Sequence, residues 1–230
     1  MKHVVLISCL LITGCARCGS REATPARQKR QTDLRSVLML AFPEYRGARV
    51  TSGEASLSRV VEGPDDEAEA SAVKTLTANQ FERQGEKWVR APYQVRVSGK
   101  RWVVTVPLDA SVVERLYMSP AAMSTSDMTM WFPRGEAARK VEREVFDFRL
   151  AYLATADTRA VFLTRQLVRL LLSNGQWQPQ TLPADWEQDG GASDLAFDAS
   201  LIEQSTRGTI TIHREGATVS LHYSLVTDEP

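Results

Sequence analysis

Strict alternation of apolar and polar side chains marks the middle of the chain. Residues 93–98 alternate with a period of two, residues 102, 104 and 106 continue the apolar positions at the same period, and Gly99-Lys100 lies between the two segments. A two-residue turn at these positions predicts an antiparallel hairpin whose apolar side chains all lie on one face. The predicted cross-strand pairs are Val97 with Trp102, Val95 with Val104 and Tyr93 with Val106.

Two further hairpins are predicted from the same kind of pattern. The earlier one turns at Gln84-Gly85, and the terminal one, from Gly208 to Val226, turns at Glu215-Gly216. Both turns contain the glycine that a tight hairpin favours. Their predicted pairs are Phe81 with Trp88, Glu82 with Lys87, Ile212 with Val219 and Ile210 with Leu221.

Several segments carry helix signals instead. Pro64 and the acids that follow it mark a helix start, with Ala68, Ala72, Val73 and Leu76 at helical spacing. The other predicted helices are Leu34–Phe42, Ala110–Met118 capped by Asp109, and the charged segment Arg134–Glu144. Residues 146–152 fit a helical face, but their strict alternation favours a strand, and residues 160–172 fit either element.

These elements predict an α+β fold of antiparallel β hairpins and sheets with a few short helices. The globular domain is expected to span residues 33–227, with a candidate sub-boundary near 120–125 and a loop at 178–194. Each half runs from helix to sheet, although no sequence repeat is strong enough to indicate a duplication. The length of the domain suffices for one sizeable hydrophobic core or two small ones.

The chain opens on a short apolar run. Lys2 precedes nine residues, Val4 to Ile12, of which most are aliphatic. A positive start, a short apolar stretch and small residues are typical of a secretory signal peptide, here residues 1–14. The run is much shorter than the ~20 residues that span a bilayer as a helix.

The end of that run, Ile12-Thr13-Gly14-Cys15, resembles the lipobox of bacterial lipoprotein signal peptides. The resemblance covers only the first 15 residues. It implies cleavage before Cys15, a diacylglyceryl group on the Cys15 thiol and acylation of the new N-terminus. In this class of lipoproteins an Asp directly after the lipidated cysteine favours retention at the inner membrane. This chain has Ala16 at that position, which implies a location at the outer membrane. The alternative is an ordinary signal peptide with a chance cysteine.

Cys15 and Cys18 have the spacing of a redox dithiol or of half a zinc site. A lipidated thiol can serve as neither a nucleophile nor a metal ligand. Cys9 would leave with the signal peptide, so Cys18 would be the last free thiol. We therefore predict a disordered lipidated tether, residues 15–32, rather than a redox, metal or disulfide site.

Charge excludes one class of partner and suggests another. The formal net charge of the whole chain is zero, whereas nucleic-acid-binding proteins are usually basic, so we expect no nucleic-acid partner. The tether is locally basic and contains Arg17, Arg21, Arg27, Lys29, Arg30 and a single acid, Glu22. This excess fits either a solvated linker or a contact with anionic head groups.

Catalytic motifs are scarce. The terminal hairpin register places His213 and His222 on one polar face, four residues apart, which is roughly 13 Å at 3.3 Å per residue and too far for a shared metal ion. Asp147 and Glu144 are candidate carboxylates for a glycosidase, although solvated positions explain them equally well. The acids around Asp65 lack the ligand spacing of a calcium loop. No cofactor, metal site or catalytic residue is predicted.

Trp131, Trp177 and Trp186 lie in or near predicted loops. Exposed rings there would be candidate partner-binding aromatics, although core packing explains them as well. The sequence thus predicts an outer-membrane lipoprotein that faces the periplasm and binds an envelope protein without catalysis. The alternatives are a carboxylate-dependent hydrolase of peptidoglycan or glycans, and a carrier of a lipid or small ligand.

Overall fold

The computed structural model describes residues 40–41, 47–109, 112, 140–173, 175–187, 194–202 and 206–228. Over these residues the chain forms ten strands and two helices. Their bounds, in chain order, are β1 Ala48–Val61, α1 Asp65–Ala78, β2 Glu82–Gln84, β3 Lys87–Arg90, β4 Tyr93–Ser98, β5 Arg101–Pro107, β6 Val141–Ala154, α2 Asp157–Ser173, β7 Gln178–Pro179, β8 Ala196–Ile202, β9 Thr206–Glu215 and β10 Thr218–Asp228.

All ten strands belong to one antiparallel sheet in the order β2-β3-β4-β5-β1-β6-β10-β9-β8-β7. The 14-residue strands β1 and β6 lie at its centre, with Ala55 opposite Phe148. The predicted antiparallel sheet is confirmed, and the described part of the fold is mostly strand with two helices. The candidate sub-boundary near 120–125 lies outside the described residues.

The two halves of the sheet share one topology. Each half starts with a long central strand, continues into a helix and returns through four antiparallel strands. The last of these, β5 in one half and β10 in the other, pairs with the long strand that opened the half. The pairing of β1 with β6 then joins the halves, so the described residues contain a topological repeat that the sequence does not reveal.

The position of glycine in each hairpin turn explains which strand registers are predicted correctly from the sequence. The middle hairpin turns at Gly99, and its predicted pairs Val97 with Trp102 and Val95 with Val104 are confirmed. The other two turns begin at Gly85 and Gly216, one residue later than predicted, so their predicted pairs were wrong by two residues. Each of these glycines has a φ between 54° and 63°, and the residue after it does not have a positive φ. A type II′ turn requires glycine at its first central position, which fixes the register.

The helix predictions had mixed outcomes. α1 is confirmed, with Ala68, Ala72 and Leu76 buried, whereas Val73 is 40% exposed. Asp109 caps as expected, because its Oδ1 accepts a hydrogen bond from the Val112 backbone N at 2.8 Å. Most of Leu34–Phe42 and Ala110–Met118 lies outside the described residues, although Leu40 and Ala41 are helical and buried.

The predicted helix Arg134–Glu144 was wrong over residues 141–144, which begin strand β6. Two neighbouring strands, β1 and β10, pair with this segment and outweigh its helix propensity. The strand predicted at 146–152 is confirmed and longer than expected. The ambiguous segment 160–172 belongs to α2, while β8 was not predicted at all.

The sheet has one covered face and one open face. Along β6 from Glu144 onward, even-numbered residues are buried and odd-numbered residues are half-buried or exposed. Buried side chains of β1 and β10 are register partners of buried residues on β6, and the buried side chains of β5 lie opposite residues on the same face of β1. The buried residues of both helices belong to the same core. Both helices therefore pack on one face, and the opposite face, called the open face below, carries the polar side chains.

Candidate functional site

Hydroxyl and amide side chains form a row across eight strands of the open face. Cross-strand partners in an antiparallel sheet lie on the same face, about 5 Å apart. Only one member of the row is ionisable, and it lies at the centre of the sheet. The row consists of Gln94, Thr105, Ser56, Asp147, Ser224, Thr209, Ser200 and Gln178.

Asp147 is the centre of a polar cluster. Arg149 Nε donates to Asp147 Oδ1 at 2.9 Å, and His222 Nε2 lies 3.1 Å from Asp147 Oδ2. A carboxylate only accepts hydrogen bonds when it is ionised, so such a bond would require the imidazole proton on Nε2. The side chain of Asp147 is 25% exposed, against 41% for His222 and 63% for Arg149. Each carboxylate oxygen of Asp147 thus has a side-chain partner in a partly solvated cluster.

The two histidines lie closer together than predicted. Because the terminal turn begins at Gly216, His222 is opposite Thr211 and His213 is opposite Ser220. The offset along the strands is two residues rather than four, so the histidines are diagonal neighbours at about 7–8 Å between Cα atoms. Over the described ranges, no three His, Cys, Asp or Glu side chains are placed to hold a metal ion.

The candidate carboxylates Glu144 and Asp147 lie on opposite faces of the sheet. Glu144 is 2% exposed on the covered face, where Arg59 Nε contacts its Oε2 at 2.6 Å. Asp147 lies on the open face, since three residues separate the two along a strand of period two. The solvated position considered for Glu144 was therefore wrong, and these two carboxylates do not form a hydrolytic pair.

The candidate partner-binding tryptophans divide into three cases. Trp177 is buried with 5% exposure, and its ring packs edge-on against Tyr223 at 5.5 Å between centroids. Trp186 is half-buried and packs against the same core. Trp131 and the lipidation candidate Cys15 lie outside the described residues. Core packing thus accounts for Trp177, and a partner contact stays a prediction for Trp131 and Trp186.

The outer side of α2 carries a second surface, which we call the arginine–phenylalanine stripe. It consists of Arg159, Phe162, Arg165 and Arg169, at spacings of three, three and four residues. Phe162 is 52% exposed, and Asp157 in the first turn is the helix's only acid. Residues with these spacings lie on one side of a helix. Sequence reasoning missed the stripe because this segment was not assigned as a helix.

In the part of the chain that the structure describes, the helices are too short or too polar to cross a membrane. No protein-family model matches the chain, and no curated protein matches it.

Proposed function

We propose that this protein is a lipoprotein of the outer membrane that faces the periplasm and binds an envelope protein through the open face, without chemistry of its own. In this proposal the α+β domain follows a disordered tether, residues 15–32, whose Cys15 carries the lipid. The observation that carries the protein-binding role is the extent of the open face. Trp131 and Trp186 remain candidate partner-binding aromatics.

The open face has the size of a specific protein interface. The five central strands, β5, β1, β6, β10 and β9, contain between seven and fourteen residues each. At about 4.8 Å between strands and about 3.3 Å per residue they cover roughly 900 Å². A typical stable complex buries about 800 Å² on each partner. Because hydrogen bonds to neighbouring strands fix the backbone of this surface, little conformational entropy would be lost on binding.

The side chains of the open face determine what kind of contact it would make. Arg149 pairs with Asp147, Arg207 Nη2 lies 2.8 Å from Asp228 Oδ2, and Thr211 donates to Asp198. These polar groups already satisfy one another within the sheet. A partner would therefore meet a near-neutral, hydrated surface and would bind through many polar and water-mediated contacts rather than one dominant charge.

The docking proposal predicts that Ser224→Arg reduces partner binding. Ser224 lies at the centre of the open face beside Asp147, and a long side chain there can extend into solvent, so the fold is expected to survive. A long side chain there would hold a flat partner away from the sheet, and we expect recovery of crosslinked partner to fall on the order of tenfold, equivalent to about 1.4 kcal/mol. Crosslinking in native membranes followed by affinity purification measures the recovery.

Thr77→Arg is the matched control, because it adds the same side chain at an exposed position on α1. Recovery with the control should equal that of the unaltered chain. Equal recovery with Ser224→Arg and Thr77→Arg would contradict docking on the open face, and failure to recover any specific partner would count against the binding role itself.

The anchoring proposal predicts that Cys15→Ala releases the protein from membranes. Without the thiol no diacylglyceryl group can be attached, and the stable hold that several acyl chains provide together would be lost. Fractionation after a high-salt wash measures the release, because the wash removes proteins held only by charge. Sedimentation of the washed Cys15→Ala protein with membranes would contradict lipid attachment at this residue.

A further inference from the structure

Charge on the open face nearly cancels over the whole surface, but it is distributed unevenly along the strands. Over the described residues, two adjacent rows at one end contain four exposed arginines and a single acid, Asp228. These arginines are Arg96, Arg101, Arg143 and Arg207. At the opposite end acids outnumber arginines, and the charged residues there are Glu54, Asp198, Glu215, Arg49 and Arg149.

One of the two basic rows is mostly apolar between its arginines, and we call it the valine–arginine strip. It consists of Arg96, Val103, Ser58, Val145, Val226 and Arg207, which are cross-strand neighbours on six adjacent strands from β4 to β9. The three valines are half-buried, so each still exposes apolar surface to solvent. The neighbouring row through Asp147 contains only polar side chains, and the strip therefore differs from it in both charge and polarity.

The single acid does not neutralise the arginines of this end. Arg207 Nη2 lies 2.8 Å from Asp228 Oδ2, and Arg143 Nε lies 3.5 Å from Asp228 Oδ1, so one carboxylate serves two guanidinium groups. All three side chains are more than half exposed, and such pairs are weak. Arg101 Nε lies 3.4 Å from the Ser58 hydroxyl, which carries no charge. The two rows therefore keep an excess of three positive charges over the described residues.

We propose that the valine–arginine strip binds an acidic segment of the partner protein that carries apolar side chains between its carboxylates. This inference rests on the proposed docking through the open face. Carboxylates would accept paired hydrogen bonds from the guanidinium groups, and the apolar side chains would cover the valines. The uneven charge would also fix the orientation of the partner, because the acids at the opposite end of the open face would repel an acidic segment.

The dimensions of the strip define the length of the segment. Five strand spacings of about 4.8 Å separate Arg96 from Arg207, which gives roughly 24 Å, the length of about seven residues of extended chain. A protein segment fits this surface better than a bilayer does. Binding at the boundary between lipid head groups and acyl chains relies on large apolar side chains such as Trp, Phe and Leu, whereas the strip offers only half-buried valines.

A synthetic peptide tests the strip directly. The probe has two glutamates at each end and alternating valine and threonine between them, about nine residues in all, with a neutral fluorophore at its N-terminus. We expect its fluorescence anisotropy to rise to saturation with the concentration of the full chain, purified in a non-ionic detergent. Arg96→Gln with Arg207→Gln should raise the dissociation constant about tenfold, equivalent to about 1.4 kcal/mol for two exposed ion pairs.

The matched control, Arg49→Gln with Arg83→Gln, removes the same charge at exposed positions outside the strip and should change the dissociation constant by less than about twofold. A probe with lysine in place of glutamate should not bind. A probe with serine in place of valine should bind more weakly, and Val145→Thr should weaken binding of the valine probe only. Equal losses in the two arginine pairs, or no binding of the acidic valine probe, would overturn the proposal.

Sedimentation with anionic vesicles distinguishes a protein segment from a lipid surface. If Arg96→Gln with Arg207→Gln lowered sedimentation with vesicles but left probe binding unchanged, the strip would be a lipid contact and the proposal would be overturned. The crosslinking comparison of Ser224→Arg with Thr77→Arg does not use the probe. A loss of partner recovery in that comparison, together with no binding of the probe, would overturn the specificity proposed for the strip and leave docking on the open face intact.

Discussion

Replacing Glu144 by Leu should lower the free energy of unfolding by about 3–5 kcal/mol. The carboxylate lies on the covered face with its side chain 3% exposed, and the side chain of Arg59 opposite it is 18% exposed. Leucine has a similar volume but leaves a guanidinium charge in a site largely closed to water. Removing one member of a buried ion pair lowers stability because the remaining charge is left without its counter-charge. Denaturant unfolding with an unchanged m-value would measure the loss.

The double variant Arg59→Met with Glu144→Leu distinguishes a buried charge from lost packing. Replacing both members of a buried pair by apolar residues of similar volume is often neutral or stabilising, so the double variant should recover most of the loss. If it were as unstable as Glu144→Leu alone, the cost would come from packing around β6 and not from an unpaired guanidinium. Exposed pairs such as Arg207 with Asp228 should contribute less than about 1 kcal/mol.

Trp177→Ala should destabilise the fold by about 3–5 kcal/mol without a specific effect on binding. The indole packs against Tyr223, and a Cβ added at Gly208 would lie 2.8 Å from Trp177 Cη2, so ring and glycine fit closely. Truncation would leave a cavity that the surrounding strands cannot fill. Thermal unfolding measures the effect, together with partner recovery corrected for the fraction that is folded.

Trp186→Ala is the comparison for this prediction. Because Trp186 is only half-buried, its loss should cost clearly less than the loss of Trp177. If the free energy of unfolding fell equally in the two variants, the deeper burial of Trp177 would not explain how much its side chain contributes to stability. If Trp177→Ala reduced partner recovery at full stability, a direct binding role for that ring would have to be considered again.

The local elements of this fold could be predicted where period and turn chemistry agree. The alternation around Gly99 predicts both its strands and its register, because glycine happens to be placed there at the first central position of the turn. At Gly85 and Gly216 the strands are predicted but the register is not, since glycine was placed second. Applying the type II′ requirement to all three turns would have found the right register.

Contacts between distant parts of the chain could not be predicted. Glu144 looks like a solvated charge in a polar run, and only the pairing of β6 with β1 brings Arg59 opposite it. Trp177 lies next to a turn, which predicts exposure, yet its ring fits against Tyr223 and Gly208 of the β9–β10 hairpin, which is distant in sequence. The same limit applies to the open face. Its row of polar side chains comes from eight different strands, so it can be recognised only when the strand order is known.

The two outermost strands of the sheet are its shortest. β2 has three residues, all exposed, and β7 has two, of which Pro179 has no backbone N–H to donate. A long free edge can template the addition of a strand from a neighbouring molecule, which leads to aggregation. For a protein concentrated on one bilayer by its lipid, as proposed here, such short edges would keep crowded copies from joining their sheets.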